Sequence, residues 1–292
     1  MLSAANYSSK ARRSFKALIA RPGASVRLLC FPYAGGAATI FRRWAEISTD
    51  IEFIGAQYRG RGARMHECPY RSVSEFVTEG VSDIDNLHDK PYAIFGHSMG
   101  AMVAFDLARR LVETSAPKPV HLFLSGLASP WRRVVSKRIH ELPDRDILSE
   151  LRSLGGTPSD IFENPEILKI LLPAIRADFE AAYYWRVEEH CDLRIPITAF
   201  GGAEDKGIPI DSLADWASCT SDVVEINLHP GGHFFVHDEF PAMIDSIRCH
   251  LFGKSRQSAY EGSLCDVALS SGQKKALPIL RHRQWHCATP EI

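Results

Sequence analysis

Six short apolar runs recur along the chain: Val26–Phe31, Ile51–Gln57, Tyr92–Phe95, His121–Ser125, Ile197–Phe200 and Val223–Leu228. They are near-continuous rather than alternating, which predicts strands buried on both faces of a mostly parallel sheet. Helical periods fall between them, the clearest from Ala101 to Leu111, where Met102, Val103, Phe105, Ala108 and Leu111 repeat at helical spacing. This alternation predicts an α/β fold with helices on both sides of the sheet. One interval breaks the rhythm. Between Trp131 and Asp192 the segments Asp144–Leu154 and Pro165–Trp185 read as helices and no strand is evident. An insertion of that size, about 131–190 and rich in large apolar residues, is expected to lie over one end of the sheet as a helical lid.

The pattern confines the folded domain to residues 25–252. Before it, Met1 to Ala24 carries Lys10, Arg12, Arg13, Lys16 and Arg21 with no acid and without the continuous apolar core of a secretory signal, so it reads as a disordered basic leader. After Phe252 the periodicity fades, and 253–292 reads as a poorly ordered tail. The 292 residues carry a net charge of −1, which points neither to nucleic acid nor to an anionic membrane surface. No apolar run approaches the roughly 18 residues that span a bilayer. Seven cysteines, an odd number without Cys-x-x-Cys spacing, fit a reduced, cytoplasmic protein and suggest neither a disulfide framework nor a structural metal. Nothing in the pattern calls for a cofactor.

The chemistry is concentrated in Phe95-Gly96-His97-Ser98-Met99-Gly100. A serine framed as Gly-x-Ser-x-Gly, with a strand before it and an amphipathic helix behind it, is the sequence form of a nucleophile elbow. The turn is so tight that residues two before and two after the serine must lack side chains, and Gly96 and Gly100 meet that need. A helix starting at Met99 would aim its amides and positive dipole end toward Ser98. An acid and a histidine should follow in chain order on loops after later strands. Asp205 stands just past the run Ile197–Phe200, with Glu204 as its nearest rival. His233 stands after the flexible pair Gly231-Gly232, which His229 and His237 lack. For the oxyanion, Met99 offers the amide after the nucleophile. The loop Pro32-Tyr33-Ala34-Gly35-Gly36 offers a second, from Ala34 or from Tyr33 beside it. Arg59, Arg61 and Arg64, beyond the second strand, would hold a loop through carbonyls or else meet a phosphate.

Several of these stretches together resemble type II thioesterases, the stand-alone α/β-hydrolases that accompany nonribosomal peptide and polyketide synthases. They are Leu29 to Gly36, Gly60-Arg61-Gly62-Ala63-Arg64, Phe95 to Ala101, Gly155-Gly156-Thr157-Pro158, Ile175-Arg176-Ala177-Asp178-Phe179 and Pro230 to Phe235. The resemblance runs from about Val26 to Phe252. It implies an α/β-hydrolase fold, a catalytic triad of Ser98, Asp205 and His233, and a mobile lid over an acyl channel. It also implies a substrate, an acyl group on the phosphopantetheine arm of an acyl or peptidyl carrier protein, and a monomeric enzyme that removes aberrant acyl groups. Lys206-Gly207 stands where such enzymes more usually have a proline after the acid. A medium-chain thioesterase that releases a synthase product, or a carboxylesterase or lipase acting on oxyesters, would need the same residues.

Overall fold

The computed structural model describes residues 14–253 and 267–269, apart from 85, 86, 88, 136 and 158. Its centre is a sheet of eight strands: β1 (Phe15–Ala17), β2 (Val26–Phe31), β3 (Ile51–Ala56), β4 (Tyr92–His97), β5 (Leu122–Ser125), β6 (Ile197–Gly202), β7 (Val224–His229) and β8 (Val267–Leu269). They lie in the order β1-β3-β2-β4-β5-β6-β7-β8. The six inner strands run parallel, and only the two edge strands are antiparallel to their neighbours. All residues of β2, β3, β4 and β5 are buried, which is why they read as unbroken apolar runs.

Around the sheet are α1 (Arg42–Ile47), α2 (Val73–Ile84), α3 (Met99–Val112), α4 (Asp144–Leu154), α5 (Ser159–Phe162), α6 (Pro165–Tyr184), α7 (Ile210–Ala214) and α8 (Phe240–Phe252). One core cluster joins α2 and α3 to one face of the sheet through Phe76, Phe105, Leu107 and Leu124. A second joins α1 and α8 to the other face through Trp44, Phe95, Phe123 and Met243. A third and smaller cluster lies within the interval 131–190, where Ile147 and Leu151 of α4 meet Ile175 of α6. None of the helices among the described residues is long and apolar enough to cross a membrane.

Two boundaries differ from expectation. The disordered leader expected to reach Ala24 does not do so: Phe15–Ala17 pairs with Ile54–Ala56 as β1, and Phe15 is 2% exposed, edge-on to Phe31 and Phe76. In the tail expected to be poorly ordered, Val267–Leu269 extends the sheet beside β7. Residues 1–13, 254–266 and 270–292 of these segments lie outside the described residues.

Strand order places the site. β3 lies on one side of β2 and β4 on the other, so the order reverses between β2 and β4, and a crevice opens at their carboxyl ends. The loop after β2 carries Tyr33–Gly36, and the turn after β4 carries Ser98.

Candidate active site

Ser98 joins β4 to α3 with φ 54° and ψ −117°, a backbone conformation that residues with a side chain rarely adopt. Neighbouring glycines allow it. A Cβ on Gly96 would lie 2.2 Å from the Gly100 carbonyl oxygen, and one on Gly100 would lie 2.0 Å from the Phe31 carbonyl oxygen. The start of α3 is thereby pressed onto the end of β2. Ser98 N–H donates to the Ser125 carbonyl at 2.8 Å, which anchors the turn to β5.

His233 and Asp205 arrive on loops after β7 and β6. His233 Nε2 is 2.9 Å from Ser98 Oγ, and His233 Nδ1 is 2.7 Å from Asp205 Oδ2. The Asp205 side chain is 5% exposed and that of His233 is 21% exposed, so the imidazole edge is open where the carboxylate is closed. The second carboxylate oxygen, Oδ1, accepts the Gly207 amide at 2.9 Å. Glu204 is held elsewhere: its amide donates to Gly231 O, which turns the chain so that the next residue faces the histidine. The two loops meet backbone to backbone. A Cβ on Gly202 would lie 2.4 Å from Gly232 O, so Gly202 serves this close approach, while Gly231 takes a φ of 99° that favours glycine.

The other histidines near the site are tied up. His229 is buried in a stack on Phe235 and is pushed down to about 4 by desolvation, and His237 Nε2 meets the Tyr33 hydroxyl at 3.0 Å. His97 was not singled out from sequence, yet it is fully buried behind the site. Its Nδ1 lies 2.9 Å from Ser125 Oγ and its ring centroid 5.3 Å from that of His233. Burial, reinforced by the neighbouring His233 and His237, holds His97 far below the usual histidine range and therefore neutral. A Cβ on Gly126 would lie 2.7 Å from the His97 ring, so that glycine makes the room.

Met99 is the first residue of α3, where amides have no intrahelical partner. Ala34 is the second residue of a tight turn closed by the Gly36 amide on Tyr33 O at 2.9 Å, with Gly35 at φ 78° as the third. Both stand at the mouth of the crevice. Two of the three arginines, Arg61 and Arg64, hold the loop through carbonyls as expected. Arg61 donates to Gly36 O and pairs with Asp178, Arg64 donates to Gln57 O and pairs with Glu67 and Glu79, and Arg59 pairs with Glu79. The interval 131–190 touches the loops at this end of the sheet. Gly156 lies against Phe234, beside His233, so closely that a Cβ there would fall 2.1 Å from the ring.

The thioesterase domain model matches residues 26–251. The chain belongs to the thioesterase domain family. Similar proteins include the gramicidin S biosynthesis protein GrsT of Aneurinibacillus migulanus, 38% identical over 76% of this chain and 87% of that protein. The thioesterase PikA5 of Streptomyces venezuelae is 34% identical over 79% and 82% respectively, and the medium-chain S-acyl fatty acid synthase thioesterase of Homo sapiens 36% over 77% and 86%. Among solved structures, the type II thioesterase BorB from the borrelidin biosynthetic cluster superposes with a TM-score of 0.75 at 32% identity, over 82% of this thioesterase and 97% of BorB. YbtT, a type II thioesterase from the yersiniabactin pathway, does so with a TM-score of 0.72 at 27% identity, over 81% and 97%. These likenesses bear out the α/β-hydrolase fold and the type II thioesterase resemblance read from the motifs.

Proposed function

We propose that this thioesterase is a serine hydrolase that releases acyl groups from the phosphopantetheine arm of an acyl or peptidyl carrier protein, clearing aberrant acyl groups from a nonribosomal peptide or polyketide synthase. The observation that carries the reading is the chain of hydrogen bonds from Ser98 Oγ through His233 to Asp205, 2.9 and 2.7 Å long. Ser98 Oγ attacks the thioester carbonyl carbon while its proton passes to His233 Nε2. Asp205 keeps the remaining ring proton on Nδ1 and stabilises the imidazolium. Negative charge develops on the carbonyl oxygen, where the amides of Met99 and Ala34 receive it. Collapse breaks the C–S bond, and the pantetheine thiol leaves with the proton from His233. A water, deprotonated by the same nitrogen, then attacks the acyl-serine, expels Ser98 and frees the acid.

A thioester is activated and its thiol is a good leaving group, so one histidine suffices as acid and base. Neutral His97 supports this arrangement, because a second cation beside His233 would oppose formation of the imidazolium. The segment 131–190 serves as the lid over the acyl channel, bounding the space in which the acyl-serine and its attacking water meet. A carrier protein as partner and a monomeric working form follow from the type II resemblance, and a cytoplasmic setting from the cysteine usage. A medium-chain product-releasing role is the second reading, favoured by the 36% identity to the human fatty acid synthase thioesterase.

The test is release of free acid from acetyl- to dodecanoyl-phosphopantetheinyl carrier protein, set against p-nitrophenyl esters, for wild type and Ser98→Ala. Editing predicts Ser98-dependent turnover that favours short carrier-bound acyl groups. A maximum at medium chain length selects the second reading, and a preference for free esters refutes both.

A further inference from the structure

The turn that carries the Ala34 amide is held from outside the sheet, and both grips come from the segment between β5 and β6. On one side of Ala34, the Tyr33 hydroxyl donates to Gly156 O at 3.2 Å, in the loop that follows α4. On the other, the Gly35 amide donates to Asp178 Oδ2 on α6 at 2.7 Å. Asp178 is itself gripped by both terminal nitrogens of Arg61, each at 2.6 Å, and Arg61 Nη1 reaches on to Gly36 O at 3.0 Å. Ile175, one turn earlier on α6, closes over Gly35, where a Cβ would lie 3.3 Å from its Cγ1.

This pair is an expensive way to hold a helix down. Both side chains are only 6% exposed, and a buried ion pair rarely stabilises more than apolar residues of the same volume. What apolar residues cannot do is receive the Gly35 N–H and donate to Gly36 O at once. The Gly35 N–H belongs to the central peptide of the Tyr33–Gly36 turn, the unit whose rotation converts one turn type into another. The Ala34 N–H lies in the preceding peptide, whose carbonyl, Tyr33 O, accepts the Gly36 amide at 2.9 Å, so gripping Gly35 N–H and Gly36 O from α6 and Arg61 on one side and the Tyr33 side chain on the other holds the turn that carries it.

We propose that Asp178 and Arg61 are positioning residues for the oxyanion-binding turn, so that docking of α6 assembles the oxyanion site and its departure dismantles it. The segment 131–190 then controls catalytic competence as well as access. The inference rests on the roles proposed above for Ser98 and Ala34. With α6 in place, the carboxylate and Arg61 hold the Tyr33–Gly36 turn in the single form that presents the Ala34 N–H. With α6 lifted, substrate enters a site whose triad is whole but whose oxyanion turn is free to rotate.

The experiment compares Asp178→Asn with wild type on an acyl-phosphopantetheine thioester. Alongside turnover it measures affinity for an acyl trifluoromethyl ketone, which forms a tetrahedral adduct on the serine, and for the matching non-hydrolysable thioether. The expected result is a fall in kcat of about 10²–10³, the scale of losing one oxyanion donor. KM and thioether affinity stay within threefold, and adduct affinity weakens by the same factor as kcat/KM. A merely structural pair would change thermal stability or thioether binding and leave the ratio of adduct to thioether affinity untouched, and that result overturns the proposal. Arg61→Lys and Tyr33→Phe carry the same readouts with smaller losses if Asp178→Asn does not fold. Ser98→Ala that still turns over would instead refute the underlying catalytic reading, whatever Asp178→Asn does.

Discussion

Asp205→Asn discriminates sharply between the proposed triad and its nearest rival, because the surroundings dictate how the new amide must point. Asp205 Oδ1 accepts the Gly207 amide at 2.9 Å, and Oδ2 faces His233 Nδ1 at 2.7 Å. An asparagine here keeps its oxygen on the Gly207 N–H, since turning its NH₂ there would set donor against donor at about 1–3 kcal/mol. The NH₂ then faces His233 Nδ1, which must accept, so the ring proton moves to Nε2 and points at Ser98 Oγ, 2.9 Å away. The histidine is held in the tautomer that cannot take the serine proton. The loss for such an arrangement is on the order of 10⁴ in kcat, or about 5.5 kcal/mol at 1.36 kcal/mol per tenfold. KM should hardly change, since Asp205 is shielded from the substrate. Steady-state hydrolysis of an acyl-phosphopantetheine thioester at pH 7.5 reads this out, with Glu204→Gln as the control expected within threefold of wild type. If Asp205→Asn keeps more than a tenth of wild-type kcat, or Glu204→Gln loses as much, the acid has been misassigned and the tautomer argument fails.

Two further predictions concern stability. Phe15→Ala should destabilise the fold by about 3–5 kcal/mol, since it empties a site 2% exposed between Phe31 and Phe76; a urea midpoint within experimental error of wild type would mean that β1 contributes nothing to the core. Burial pushes His121 down to about 3 and His229 to about 4, whereas an unfolded histidine titrates near 6.5. The unfolded chain therefore takes up protons that the folded chain refuses: stability is full above pH 6.5 and falls toward pH 4 by up to ~1.4 kcal/mol per pH unit for each histidine. Urea titrations at pH 7 and pH 5 should show that loss, and His121→Gln should reduce it; equal midpoints at the two pH values would contradict it.

The parallel strands were legible because a strand buried on both faces cannot disguise itself. Leu28-Leu29-Cys30-Phe31 and Leu122-Phe123-Leu124 leave no polar alternation to misread. Where a polar residue is buried, the reading stops short. β4 runs on to His97, past the expected end at Phe95, where one ring nitrogen, Nδ1, meets Ser125 Oγ inside the core. β1 escaped altogether, since Phe15-Lys16-Ala17 is too short and too basic to signal a strand, and only pairing with β3 and the pocket for Phe15 make it one. At the site, glycine exposed the elbow, where backbone-to-backbone approach excludes every other residue at Gly96 and Gly100, and the His233 loop, where Gly231 takes a φ of 99°. What turns Asp205 rather than Glu204 toward His233 was not legible: two backbone amides, Glu204 N on Gly231 O and Gly207 N on Asp205 Oδ1, which leave no trace in residue type.

The same division explains why the Arg61–Asp178 pair could not be foreseen while the meeting of Ser98, His233 and Asp205 could. Ser98, Asp205 and His233 are placed by glycines through contacts between main chains, at Gly96 with Gly100 and at Gly202 with Gly232, and these depend only on the sheet. The turn at Ala34 is placed by side chains separated by 117 positions, one on the loop after β3 and the other on α6. A rigid nucleophile therefore sits beside an oxyanion turn whose geometry is lent by the covering segment. Water that reaches Ser98 while α6 is away meets a complete relay with a loosened oxyanion turn, so hydrolytic power is concentrated in the state where the cover is closed. For an enzyme proposed to discriminate among carrier-bound acyl groups, that arrangement lets the fit of an acyl chain beneath α6 govern the rate of the chemical step. Discrimination would then appear in kcat, and not only in KM.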